Sequence, residues 1–144
     1  MTNTFESLSE PLRRVVALLG LTSTDAHVRL VFDGLGIAPP DEVEGSQTVT
    51  TDENQLEFRF EDGVLVQFWV NPGSGYELPQ GLQWEFTPEE LHARLGPGEP
   101  LGLNKEEPDA LQWELATDGA RGSRLLLHMN IAGGFSLNGE RAAP

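Results

Sequence analysis

A chain of 144 residues has the length of one domain, and 38% of its residues are apolar, enough to close a core without staples. Its 23 acidic residues face nine basic ones, a net charge of −14. Such a field repels nucleic acid and anionic membrane surfaces, which are held by basic patches, and cysteine is absent, which excludes disulfides, thiolate metal sites and cysteine nucleophiles.

The opening stretch, Met1 to Ser7, has neither the basic start nor the apolar run of a secretory signal. No apolar run approaches the roughly 20 residues of a membrane span, so a soluble, cytoplasmic protein is expected. Ser9 is a good helix N-cap and Pro11 suits a first turn. Leu12, Val15, Val16 and Leu19 follow at helical spacing, and Gly20 ends the helix. A second helix is expected from Thr24 or Asp25 to about Leu35, with Val28, Val31, Phe32 and Leu35 as its apolar stripe. Gly36 and Pro39-Pro40 stop it. Residues 37–54 read as an acidic loop with room for a short strand at Thr48 to Thr50.

From Gln55 the period changes to two. Leu56, Phe58 and Phe60 alternate with Glu57, Arg59 and Glu61, the pattern of a half-buried strand. Asp62-Gly63 is a hairpin turn, and Val64 to Asn71 returns with Val64, Val66, Phe68 and Val70 on one face. Leu82, Trp84 and Phe86 predict another short strand. Thr87-Pro88-Glu89-Glu90 is a complete helix start, and that helix carries Leu91 and Leu95 up to Gly96-Pro97. Leu111, Trp113 and Leu115 form a strand, Asp118-Gly119 opens a longer turn, and Leu125, Leu127, Met129 and Ile131 form the return. A last short strand is expected at Phe135 to Leu137.

The order helix, glycine, Pro-rich acidic loop, strand, Asp-Gly, strand thus occurs twice, with halves at about 9–76 and 77–138. The expected fold is α+β: short helices on one face of an antiparallel sheet, built from two weakly related helix–hairpin halves in a single domain spanning 1–144.

Chemistry-bearing clusters are scarce. His27, His92 and His128 have no second ligand at zinc spacing. Glu89-x-x-His92 matches half of a di-iron motif but occurs once, and reads more simply as a solvated helix face. Gly73-Ser74-Gly75 reads as a loop, no phosphate or dinucleotide fingerprint is present, and Glu106-Glu107-x-Asp109 lacks the spacing of a calcium loop. No catalytic residue, metal site or cofactor is therefore assigned, and a binding protein is expected rather than an enzyme.

The charge is unevenly placed. Residues 41–76 carry eight acids against Arg59 and residues 77–114 carry nine against Arg94 and Lys105, so each segment contributes −7. Strand parity puts Glu57, Glu61, Gln67, Glu85 and Glu114 on the side away from the apolar core, and Trp69 with them. Arg59, Asn71, Asn130, Leu65, Leu126 and His128 share that side by the same parity, and Asp52 and Glu53 lead into it. An indole amid carboxylates reads as an anchor for a basic protein partner; the alternative is that Trp69 packs under the 72–80 loop or the C-terminal segment. The partner-binding set is Asp52, Glu53, Glu57, Glu61, Gln67, Trp69, Glu85 and Glu114.

The motifs Leu78-Pro-x-Gly-Leu, Phe86-Thr-Pro-Glu-Glu-Leu and Arg94-Leu-Gly-Pro resemble the helix entry of the β-lactamase inhibitor protein and small outer-membrane lipoprotein superfamily. Leu18-Leu-Gly-Leu and the Leu35-Gly36 ending also resemble small bacterial immunity proteins encoded beside secreted toxins. These resemblances cover residues 12–131 and imply helices against an antiparallel sheet and inhibition by direct binding. The chain departs from the pattern in lacking a lipoprotein cysteine and disulfides, which implies a cytosolic relative. The expected function is neutralisation of a basic, nucleic-acid-targeting toxin, with no nucleic acid or membrane as partner. The alternatives are an adaptor or secretion chaperone, and a small hydrolase or ligand-binding domain.

Overall fold

Alternating apolar residues and well-placed turns build the frame of the molecule. A computed structural model describes residues 8–41, 44–102, 106, 108–118, 122–130 and 133–141. The helices are α1 (Glu10–Val16), α2 (Ala26–Leu35) and α3 (Pro88–Leu95). The strands are β1 (Ser46–Thr50), β2 (Leu56–Glu61), β3 (Val64–Val70), β4 (Glu99–Leu101), β5 (Ala110–Asp118), β6 (Ser123–Asn130) and β7 (Gly133–Arg141). The strands form one antiparallel sheet in the order β1-β2-β3-β7-β6-β5-β4, so the fold is α+β. Two meanders, β1–β2–β3 and β4–β5–β6, start at the outer edges, and β7 fills the seam between them. Among the described residues no helix is long and apolar enough to cross a membrane.

Local chemistry accounts for the helix ends. The Asp25 side chain accepts from the His27 backbone N–H at 2.8 Å, and Gly36 leaves α2 at φ 74°, a conformation glycine adopts without a Cβ penalty. Thr87 and Glu90 form a reciprocal capping box on α3. All three helices pack on one face, where Leu12, Val15, Phe32 and Leu91 join Phe58, Phe60, Phe68, Leu127 and Leu137 in the core. The Phe32 ring sits 4.7 Å from that of Phe58 and 5.9 Å from that of Phe60. Each such buried ring stabilises the fold by about 2–3 kcal/mol.

The structure departs from sequence periodicity at four places. In β3, Leu65 rather than Val66 enters the core, because Arg59 pairs with Gln67 while Phe60 pairs with Leu65, leaving Val66 as the extra residue of a bulge. Residues 20–23 cover the start of β3: Leu65 donates its N–H to the Leu21 carbonyl at 2.9 Å, and Gly20 donates to the Leu65 carbonyl at 2.8 Å. Leu82, Trp84 and Phe86 form no strand. Pro79–Gly81 makes a tight turn, and the segment is held by side chains instead: Trp84 Nε1 donates to the Tyr76 carbonyl at 3.0 Å and its ring stacks on Phe135 at 5.4 Å.

β7 is a full nine-residue central strand rather than a short last one. β4, hidden in a Pro/Gly-rich stretch, forms because β5 offers Ala110, Leu111 and Gln112 as register partners. The expected turn residue Gly119 and strand residue Ile131 lie outside the described residues.

Candidate functional site

The side of the sheet away from the helices carries a continuous row of side chains. Register pairs run Thr50–Glu57, Glu57–Trp69, Trp69–Asn138, Asn138–Leu126 and Leu126–Glu114, crossing β1, β2, β3, β7, β6 and β5. Antiparallel partners present their side chains on the same face, so these residues form one stripe. From Glu57 to Glu114 it spans four strand spacings, about 19 Å. Its middle is dry: Leu126 is 2% exposed and Asn138 6%, although Leu126 lies outside the helix-side core cluster. The ends are the carboxylates of Glu57, half-buried, and Glu114, exposed.

The next row is polar and internally paired. Arg59 bonds to Glu61 and donates to Gln67 Oε1 at 3.4 Å, and Gln67 Nε2 donates to Asn138 Oδ1 at 3.3 Å. On the facing strands Arg124 Nε donates to Glu140 at 2.6 Å. Both arginines are thus neutralised by neighbouring carboxylates. Glu57 and Glu114 have no cationic partner among the described residues, so they leave net negative charge at both ends of the Trp69 stripe.

The tryptophans separate by how their indole N–H is used. Trp84 donates to the Tyr76 carbonyl, and Trp113 donates to the Gly96 carbonyl at 2.9 Å, so both are structural. Trp69 is half-buried and its N–H has no acceptor among the described residues. A ring half in the protein with an unused donor suits recognition of another surface.

Of the eight residues assigned from the sequence, Glu57, Glu61, Gln67, Trp69 and Glu114 share this face. Asp52 and Glu53 are exposed in the turn between β1 and β2, at the edge of the face. Glu85 does not belong: parity fails where there is no strand, and its turn carries Trp84 onto the core side of the sheet. Leu65 likewise leaves this face for the core through the β3 bulge. Asn138 and Glu140 lie beyond the short last strand expected at Phe135 to Leu137, and Arg124 precedes the return strand expected from Leu125, so sequence parity does not reach them. Continuing the parity of Phe135 and Leu137 would have placed Ser136 and Asn138 opposite.

The histidines lie apart. His27 is exposed beside Asp25, His92 packs edge-on against Trp113 at 5.8 Å, and His128 sits on the open face between Gln112 and Ser136. Among the described residues no group of three or more His, Asp or Glu side chains is placed to hold a metal ion.

A groove lies between α1 and α2. This groove of about 1010 Å³ is lined by Pro11, Val15, Leu18, Leu30, Val31 and Leu35, with Leu30 73% exposed. On its rim Arg14 pairs with Glu10 at 2.5 Å, and the His27 ring lies 3.3 Å from the Asp25 carboxylate. No family model, curated protein or solved structure matches this chain.

Proposed function

We propose that this chain is a cytoplasmic immunity-type inhibitor that neutralises a basic, nucleic-acid-targeting bacterial toxin by direct binding, without a cofactor. The observation that carries this reading is Trp69: a half-buried indole whose N–H has no acceptor among the described residues, in a stripe whose end carboxylates, Glu57 and Glu114, have no cationic partner among those residues. A toxin that acts on nucleic acid carries a basic substrate surface, and the acidic stripe complements that surface. Carboxylates would speed encounter and the indole would hold the complex once formed. The test is co-expression with the product of the adjacent gene, followed by nuclease assay of the purified pair. Loss of toxin activity at equimolar inhibitor is expected. A neighbouring product that is neither basic nor inhibited contradicts the proposal.

A second reading, an adaptor or secretion chaperone, draws support from the apolar groove between α1 and α2. In that role Leu30→Asp would abolish capture of the carried protein, whereas inhibition through the sheet face would be unaffected.

A further inference from the structure

The sheet ends in two dissimilar edges. β4 is three residues long and contains Pro100, which has no N–H to offer. β1 is five residues, Ser-Gln-Thr-Val-Thr, with no proline and no charge, and so lacks the usual protection of an edge strand.

The direction in which its backbone groups point follows from the ladder. Thr51 N–H donates to the Leu56 carbonyl at 3.0 Å and Asp62 N–H donates to the Gly45 carbonyl at 2.9 Å. Hydrogen-bonded pairs alternate along an antiparallel ladder, so Gln47 and Val49 turn their backbone groups toward β2. Ser46, Thr48 and Thr50 therefore turn theirs outward. Their side chains are exposed on the Trp69 side of the sheet, while Val49 packs against the core on the other.

Charge selects the occupant. Residues 41–62 contain eight acids and Arg59 alone as base, and Glu44, Asp52 and Glu53 bracket β1 in exposed positions. A second copy pairing antiparallel through Thr48 would set Glu44 opposite Asp52 at both ends, a like-charge repulsion. We infer that β1 accepts an added strand from the basic partner: an extended segment with Lys or Arg alternating with apolar residues. Its basic residues would lie on the Trp69 side beside Thr48 and Thr50, within reach of Glu57. Its apolar residues would continue the row of Val49. This docking mode takes the partner's chemistry from the function proposed above and adds the edge to the face.

The experiment uses the whole chain and a capped peptide of about ten residues alternating valine and lysine, with a valine–glutamate peptide as control. Amide exchange is followed residue by residue. Saturating basic peptide is expected to slow exchange at Ser46, Thr48 and Thr50 by about ten-fold or more, with Gln47 and Val49 already protected in its absence. Thr48→Pro removes only an outward N–H and should weaken peptide binding about ten-fold with the fold retained. Should that variant unfold, the exchange pattern of the unaltered chain decides. Three results would overturn edge docking: no protection at the three amides, equal binding of both peptides, or protection that grows with protein concentration alone. Peptide binding lost in Trp69→Ala but unchanged in Thr48→Pro would overturn edge docking while leaving the sheet-face reading intact.

Discussion

Trp69 and Asn138 lie directly opposite one another across the seam where β3 of the first meander meets β7. The neighbouring Gln67 ties that seam by donating to Asn138 Oδ1 at 3.3 Å. Asn138 is nearly buried, so its amide is a structural support under the indole rather than a free recognition group. Asn138→Ala removes the acceptor and opens a gap beside Trp69. It should lower unfolding free energy by about 1–2 kcal/mol in denaturant titration. No change in midpoint would mean that the bond contributes nothing and that Trp69 is held by other contacts.

Gly139, one residue on, is required for a different reason. It faces Phe68, and a Cβ built on it would stand 2.1 Å from Phe68 Cε2, inside a ring that is fully buried. Gly139→Ala should therefore cost about 2–3 kcal/mol through forced displacement of the ring. The same substitution in a Phe68→Leu background should cost much less, since the colliding atoms are gone. Additive effects in the double variant would show that the glycine serves some other purpose.

Tyr76, the one tyrosine of the chain, has its phenol pushed above the usual value near 10 by burial, which disfavours the charged form. A group whose folded-state pKa is raised stabilises the fold below its unfolded value and loses that contribution as pH rises through the folded one. Stability should be flat with respect to this group up to about pH 10 and then fall. Phenolate absorbance should titrate above 10, and Tyr76→Phe should remove that part of the alkaline fall. A midpoint at or below the ordinary value would place the ring in water.

Much of the fold is legible because its signals are local. The Asp25 cap, the Gly36 stop, the Thr87–Glu90 box and the Asp62-Gly63 turn act within a few residues, and each element they bound is present. Parity along β2 and β5 places Glu57 and Glu114 on the open face for the same reason. The failures are non-local. The shift of Leu65 into the core depends on residues 20–23 pairing with the start of β3, and nothing in Val64 to Val70 announces that. Trp84 and Phe86 alternate like a strand, yet their partners are the Tyr76 carbonyl, Phe135 and Arg94, reached only when the chain is folded. β7 contains Gly134 and Gly139, poor strand formers, and exists because both neighbouring strands have open hydrogen-bonding edges.

The proposed anchoring of a basic protein partner by Trp69 on the open sheet face is tested most directly by the affinity of Trp69→Ala for the basic product that the proposal expects an adjacent gene to encode. The Trp69 side chain is only half-buried and lies outside the core cluster, so the variant should keep its fold. Binding should weaken by about 2 kcal/mol or more, roughly thirty-fold, through faster dissociation. Glu57→Gln with Glu114→Gln should instead slow association, with a loss that shrinks as salt rises. Unchanged affinity in both variants, measured on folded protein, would contradict the account and remove the open sheet face as the binding surface.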